Sequence, residues 1–169
     1  ASLHQVDIDA VGLSDYGPPG NYFERQLSRW SKQYRASETQ HIEAMEKLMP
    51  WLLENMPEDD GVVSLVHGDY RLDNLMFAPD APRAIALLDW ELSTLGNPLA
   101  DLANQCMAWM LPAESGIAGM AGVDRAALGI PSDQEYIASY CERTGRDSIE
   151  NWNFYIVFSM FRLAAIAQG

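Results

Sequence analysis

The chain contains little positive charge and no long hydrophobic run. Its 169 residues include 11 Lys and Arg against 24 Asp and Glu, giving a formal net charge of −13. This charge argues against a surface that binds nucleic acid or an anionic membrane. No apolar stretch approaches the length that spans a bilayer, and no signal peptide is recognisable, so a cytoplasmic protein is expected. An acidic cleft would favour a cationic substrate, but net charge says little about one pocket.

Cysteine is also scarce. Cys106 and Cys141 are the only two, and both fall in predicted helices without the spacing of metal ligands. We expect them to pack as small apolar groups, which fits a reducing compartment. Hydrophobic residues make up 48% of the chain, enough for one sizeable core.

The polar residues with the clearest chemical pattern lie in two short segments. Residues 67–74 are HGDYRLDN, and residues 87–91 are LLDWE. In phosphoryl transfer to a hydroxyl, one carboxylate lies beside the acceptor while an Asn and an Asp hold magnesium. Magnesium takes hard oxygen ligands, usually one or two carboxylates together with substrate phosphates. The pattern predicts Asp69 as the base and Asn74 and Asp89 as magnesium ligands.

The flanking sequence strengthens this prediction. Residues 62–66 form a β-branched apolar run, which predicts a strand that delivers His67 at its end. Residues 75–77 and 84–88 predict a hairpin, so the loop and Asp89 are expected at neighbouring strand ends. In the plainer alternative, the acidic residues only form turns and a strand end.

These segments, together with GNPLADLA at residues 96–103, resemble the aminoglycoside phosphotransferase family. The closer resemblance is to the branch of this family that is fused to, or encoded near, acyl-CoA dehydrogenases. Residues 88–96 (LDWELSTLG) resemble that branch at almost every position. The resemblance covers nearly the whole chain. It implies an α+β fold, a protein-kinase-like C-terminal lobe that is mainly helical, with a short β-hairpin carrying the catalytic and metal-binding loops.

Carried over by position, the resemblance implies that Asp69 is the catalytic base and that Asn74 and Asp89 bind magnesium. Arg71, two residues after the base, either neutralises charge on the transferred phosphoryl group or is a surface arginine of the loop. His67 is implied to brace the loop through hydrogen bonds.

Two further acidic residues belong to the predicted site. Glu91 either supports the metal site or is simply solvated, and both interpretations stay open. Asn97 and Pro98 predict the cap and the first residue of a helix, in whose opening turns Asp101 suits the helix dipole. The resemblance implies that Asp101 also ties this helix to the catalytic loop, and we favour this role.

The sequence lacks the motifs that mark the N-terminal lobe of a kinase fold. That lobe carries a glycine-rich loop over the phosphates and a strand lysine. Residues 17–20 (GPPG) predict a turn with two prolines that supply no amide donors, and the glycines of residues 112–123 follow no strand. The two lysines, Lys32 and Lys47, lie in helical patterns. We therefore predict a single catalytic lobe, residues 1–169, cut at both ends from a longer polypeptide and inactive in isolation.

The remaining sequence is predominantly helical in pattern. The first predicted helix covers residues 22–36, and a capping box at 37–40 starts a second helix that kinks or restarts at Pro50. A third helix is capped by Ser132 and ended by Gly145, and a fourth covers residues 152–167. Aromatic and Met side chains in these helices are expected in the core. Trp109, Met110 and Tyr155 could instead line an acceptor pocket.

The predicted function is ATP- and magnesium-dependent phosphoryl transfer to the hydroxyl of a small molecule. The dehydrogenase-linked resemblance implies a hydroxyacyl-CoA or similar acceptor, the missing N-terminal lobe of the same polypeptide as a partner, and an acyl-CoA dehydrogenase as a further one.

Two alternative functions agree less well with these residues. A pseudokinase-like binding or regulatory domain would have no need for Asp69, Asn74 and Asp89 together. A metal-dependent hydrolase would need a second histidine near His67, and the others fall in a tail and a helix.

Overall fold

The computed structural model describes residues 1–18, 20–114 and 119–168. Pro19 of the predicted turn and Gly116 of the predicted glycine-containing loop lie outside the described residues. Within them the helices are α1 (Tyr22–Ser37), α2 (Glu43–Glu54), α3 (Leu99–Met107), α4 (Asp133–Thr144) and α5 (Trp152–Gln168). The strands are β1 (Ser64–Val66), β2 (Leu75–Phe77), β3 (Ala84–Leu87) and β4 (Thr94–Gly96), and single 3₁₀ turns cover Leu3–Gln5, Leu72–Asn74 and Ala108–Met110. No described helix is both long and apolar enough to cross a membrane.

The strands form two separate antiparallel pairs. β2 and β3 make the predicted hairpin, with Leu75 opposite Leu87 and an irregular register after Met76. β1 pairs with β4, with Val66 opposite Thr94. Sequence reasoning missed β4, because a three-residue strand has no readable alternation and its partner lies far away in the chain. This pairing places the end of β1 beside the segment that follows the hairpin.

The helical core is built around α5, which packs against α1, α2 and α3. α5 is apolar on most of its circumference, as expected for a central helix. The ring of Phe23 in α1 lies edge-on to Phe154 and Phe158 of α5, with centroids 5.4 and 5.2 Å away. Phe161 is fully buried, and its truncation to Ala would cost roughly 3–5 kcal/mol.

The structure confirms that both cysteines are buried in helices, and it confirms the two ends predicted for α4. Cys106 in α3 and Cys141 in α4 are buried and free. Ser132 and Glu135 form a reciprocal capping box at the start of α4, and Gly145 ends that helix with a φ of 71°. These signals are local, so they were readable without tertiary information.

The region between α1 and α2 differs from the prediction. The expected capping box at residues 37–40 is wrong, because α1 extends through Ser37, whose hydroxyl donates to the Gln33 carbonyl at 2.9 Å. α2 begins only at Glu43 and continues through Pro50 instead of restarting there. Pro50 removes one helical hydrogen bond, but the burial of Met45 and Leu52 on either side of it holds the helix together.

Candidate active site

The loop after β1 is held by the side chain of Asp101 in α3. Asp101 is 1% exposed, and its two carboxylate oxygens accept hydrogen bonds from the backbone N–H groups of His67 at 2.7 Å and Gly68 at 2.9 Å. α3 begins one residue later than predicted, and the Asn97 side chain accepts from the Leu99 N–H at 3.0 Å. The first turns of α3 and the loop are therefore one hydrogen-bonded unit.

His67 connects this loop to the segment that carries Asp89. Its ring is fully buried, with Nδ1 accepting from the Asp69 N–H at 3.3 Å and Nε2 lying 2.8 Å from the Leu88 carbonyl. Because Nδ1 accepts, the network assigns the proton to Nε2, which donates to Leu88. The Trp90 ring lies edge-on to the imidazole at 4.9 Å.

Gly68 allows the tight approach of the two segments. Its φ is +83°, in the region that disfavours L side chains, and an added Cβ would lie 2.3 Å from the Leu92 carbonyl oxygen. No side chain fits at this position without moving the backbone.

Asp69 and Asn74 are brought together at opposite ends of the loop. The Asn74 amide nitrogen donates to the Asp69 carbonyl at 2.8 Å and to its carboxylate at 3.1 Å. With the nitrogen engaged in this way, the Asn74 Oδ1 atom is the one available to a cation.

Asp89 lies two residues after the end of β3, the strand that pairs with β2 next to Asn74. The Leu88 N–H donates to the Asn74 carbonyl at 2.8 Å, so Asp89 follows directly on the residue that contacts Asn74. Asp89 is exposed and has a φ of +65°, a left-handed conformation that costs energy for a residue with a Cβ. An amide oxygen and an exposed carboxylate on adjacent segments form a donor set that fits magnesium when phosphates complete it.

The side chains of Arg71 and Glu91 lie outside the hydrogen-bonded pair formed by Asp69 and Asn74. Arg71 is paired with Asp73 inside the loop, with Nε 3.0 Å from the Asp73 carboxylate. It lies in the lining of the same cavity as Asp69. Glu91 is exposed and lines a second cavity together with Gly68.

His4 belongs to this network, although sequence reasoning placed it in a tail. Its Nε2 lies 3.1 Å from the Asp101 carboxylate and its Nδ1 lies 2.9 Å from the Tyr140 hydroxyl. The Ser64 hydroxyl also donates to the His4 carbonyl at 3.0 Å. Burial raises the pKa of Tyr140 to about 12, so this hydroxyl keeps its proton. No sequence signal identified His4, because its partners lie 97 and 136 residues away.

A cavity of about 430 Å³ opens beside Asp69. We call it the Asp69 cavity. Apolar side chains dominate its lining, namely Met107, Trp109, Met120, Ile130, Leu163 and Ile166. Trp109 is the one residue of the suggested acceptor pocket that the structure brings to this lining. Of the others, Met110 is exposed and Tyr155 lines a cavity near the start of α1.

Comparison with known proteins assigns the family. The model of the phosphotransferase enzyme family (APH) matches residues 1–146, so the chain belongs to this family, as the sequence motifs predicted. Acyl-CoA dehydrogenase family member 10 of mouse is 49% identical over 99% of the chain, and family member 11 of human is 44% identical over all of it. The chain spans 16% and 22% of the length of these two relatives.

Solved structures similar to this chain are also named as phosphotransferases. A candidate aminoglycoside phosphotransferase from Ralstonia eutropha JMP134 has a TM-score of 0.93 and 56% identity, covering 99% of this chain and 51% of its own. An aminoglycoside-3′-phosphotransferase of type VIII has a TM-score of 0.64 at 18% identity, covering 95% of this chain and 56% of its own, which shows the shared fold alone. The α+β, kinase-like fold class predicted from the sequence is thereby confirmed.

Proposed function

We propose that the chain carries the acceptor side of a phosphotransferase site, in which Asp69 takes the proton of a small-molecule hydroxyl while ATP donates its γ-phosphate. The observation that carries this proposal is the loop itself. Asp69 and Asn74 are hydrogen-bonded to each other in a loop fixed by Asp101, and Asp69 borders an apolar cavity large enough for a small molecule. A fixed carboxylate beside a hydroxyl is what positioning and general-base catalysis require.

Asn74 and Asp89 would hold magnesium through the amide oxygen and the carboxylate. When bound, the ion neutralises charge that develops on the phosphates. The left-handed backbone of Asp89 supports this assignment, because strained residues of this kind cluster at functional sites.

Arg71 would assist by contacting the transferred phosphoryl group. Its pairing with Asp73 does not oppose this role, because both side chains are substantially exposed, 40% and 61%. An exposed pair of this kind stabilises by no more than about 1 kcal/mol, so a phosphate can replace Asp73 at little cost.

We also propose that this chain is the C-terminal lobe of a longer polypeptide. Exposed apolar side chains gather on and beside the hairpin, namely Leu72, Met76, Phe77, Ile85 and Leu88. A surface of this kind suits an adenine ring and a second lobe. The two lysines lie in α1 and α2, so neither occupies a strand position facing the phosphates. The isolated chain should therefore show no magnesium-ATP turnover, and robust turnover would contradict this proposal.

The acceptor is proposed to be a hydroxyacyl-CoA or a related metabolite, in keeping with relatives named as acyl-CoA dehydrogenase family members. An acyl-CoA dehydrogenase would then be the partner enzyme. The direct screen is ATP consumption by the full-length polypeptide against hydroxylated CoA esters, amino alcohols and aminoglycosides.

The decisive variant is Asp69→Asn in the full-length polypeptide. Turnover should fall by about 10²–10⁴-fold with unchanged nucleotide affinity, since only the base is lost. Asp147→Asn, an exposed acid outside the loop, serves as the matched control. Near-normal turnover of Asp69→Asn would remove Asp69 from its role.

A further inference from the structure

Arg162 in α5 is a buried cation without an acidic partner in the described part of the chain. The residue is 9% exposed, and no described carboxylate lies within ion-pairing distance of its guanidinium. Its guanidinium lies over the ring of Trp30, whose centroid is 5.4 Å from Cζ. A guanidinium removed from water without an anion is unfavourable, and one aromatic face compensates only part of that cost.

The position of Arg162 relates it to the proposed base. It lines the Asp69 cavity, and it also lines a second cavity of about 340 Å³ that borders Gly68. Arg162 therefore lines both cavities, and the consecutive residues Gly68 and Asp69 line one each. A molecule that fills the Asp69 cavity would border both Asp69 and Arg162.

The second cavity is cationic in an otherwise acidic chain. Its lining includes Arg25, Arg29 and Arg162 against one carboxylate, that of Glu91. The Arg29 Cζ atom lies 5.3 Å from the same Trp30 ring that Arg162 contacts.

The indole N–H of Trp30 also lacks a partner, in addition to the excess of positive charge in the second cavity. It is a buried donor that has no acceptor among the described residues. Buried donors are normally paired, so this part of the molecule has more donors than acceptors. An anionic group would correct both the charge and the hydrogen-bonding imbalance.

We propose, building on the proposed phosphotransfer, that Arg162 is a specificity-determining residue that binds an anionic group of the acceptor. The apolar body of that acceptor fills the Asp69 cavity and presents a hydroxyl to Asp69. Arg29, which also lines the second cavity, adds to the positive potential there. The same charges disfavour acceptors whose corresponding group is an amine, so the net charge of the chain misleads about this pocket.

The test uses three probes of equal length that lack a hydroxyl, namely hexanoate, hexanamide and hexylammonium. Their binding to the full-length polypeptide is measured by ligand-detected NMR without ATP or magnesium. Hexanoate should bind most tightly, and Arg162→Gln should weaken its binding roughly 10- to 100-fold, the range of a charge-assisted hydrogen bond. Hexanamide binding should change little. Arg143→Gln, an exposed arginine of α4, is the matched control.

Two further variants keep the test decisive if Arg162→Gln fails to fold, as judged by circular dichroism. Arg162→Lys keeps the charge but loses the planar fork, and Arg29→Gln alters an exposed side chain. Both should weaken hexanoate binding to an intermediate degree. Equal binding of hexanoate and hexylammonium, absence of hexanoate binding, or wild-type affinity in these variants would each refute the proposal.

The measurement separates this inference from the phosphotransferase proposal. Binding without nucleotide does not depend on catalysis, so Arg162-dependent hexanoate binding in a polypeptide that transfers no phosphate would refute phosphotransfer alone. With an active acceptor, Arg162→Gln should raise KM with little change in kcat, because the anionic group lies away from the reacting hydroxyl.

Discussion

Replacement of Asp101 by Asn tests the hydrogen-bonded unit that positions the proposed base. The substitution preserves shape but exchanges one carboxylate oxygen for an NH₂ group. One of the N–H groups of His67 and Gly68, now bound at 2.7 and 2.9 Å, would then face a donor. A buried donor left unpaired costs about 1–3 kcal/mol, and the remaining bonds, including that of His4, lose their charge assistance.

The expected loss of unfolding free energy is therefore about 2–4 kcal/mol. Urea unfolding followed by tryptophan fluorescence measures it, with Asp147→Asn as the exposed control. Hydrogen exchange should also accelerate at the amides of His67 and Gly68, because these two N–H groups lose their acceptor. A loss no larger than that of the control, with unchanged exchange at both amides, would show that the Asp101 hydrogen bonds do not hold the loop.

Three further outcomes follow from single sites. Asp89→Ala should weaken ATP binding with magnesium more than without it, because the carboxylate acts through the cation; equal losses in both titrations would assign it a structural role instead. Gly68→Ala should destabilise the loop and reduce turnover more than it reduces nucleotide binding, since its Cβ would lie 2.3 Å from the Leu92 carbonyl oxygen; a fully active variant would show that the loop readily moves. Burial raises the pKa of Cys106 to about 12, so its thiol should resist iodoacetamide at pH 8 until the chain unfolds; rapid alkylation under native conditions would contradict this.

The sequence by itself determined the family and most of the helices, and it predicted the candidate catalytic residues. Residues 67–74 and Asp89 were predicted to form the site because phosphoryl transfer restricts residue types at fixed spacing. The capping box at Ser132 and the stop at Gly145 were readable because both act within a few residues. The same local reasoning failed at residues 37–40, where the extension of α1 prevailed over a matching cap sequence.

Only the tertiary structure decided which residues meet across long separations. The pairing of β1 with β4 and the contact of His4 with Asp101 join segments that no local pattern relates. The lack of an acidic partner for Arg162 among the described residues is likewise a property of packing, because a helical arginine in the sequence shows neither its burial nor its neighbours. Short-range steric contacts and hydrogen bonds involve residues close together in the chain, so they can be predicted from the sequence. The charge and shape of a pocket arise where distant segments pack, so only the folded structure reveals them.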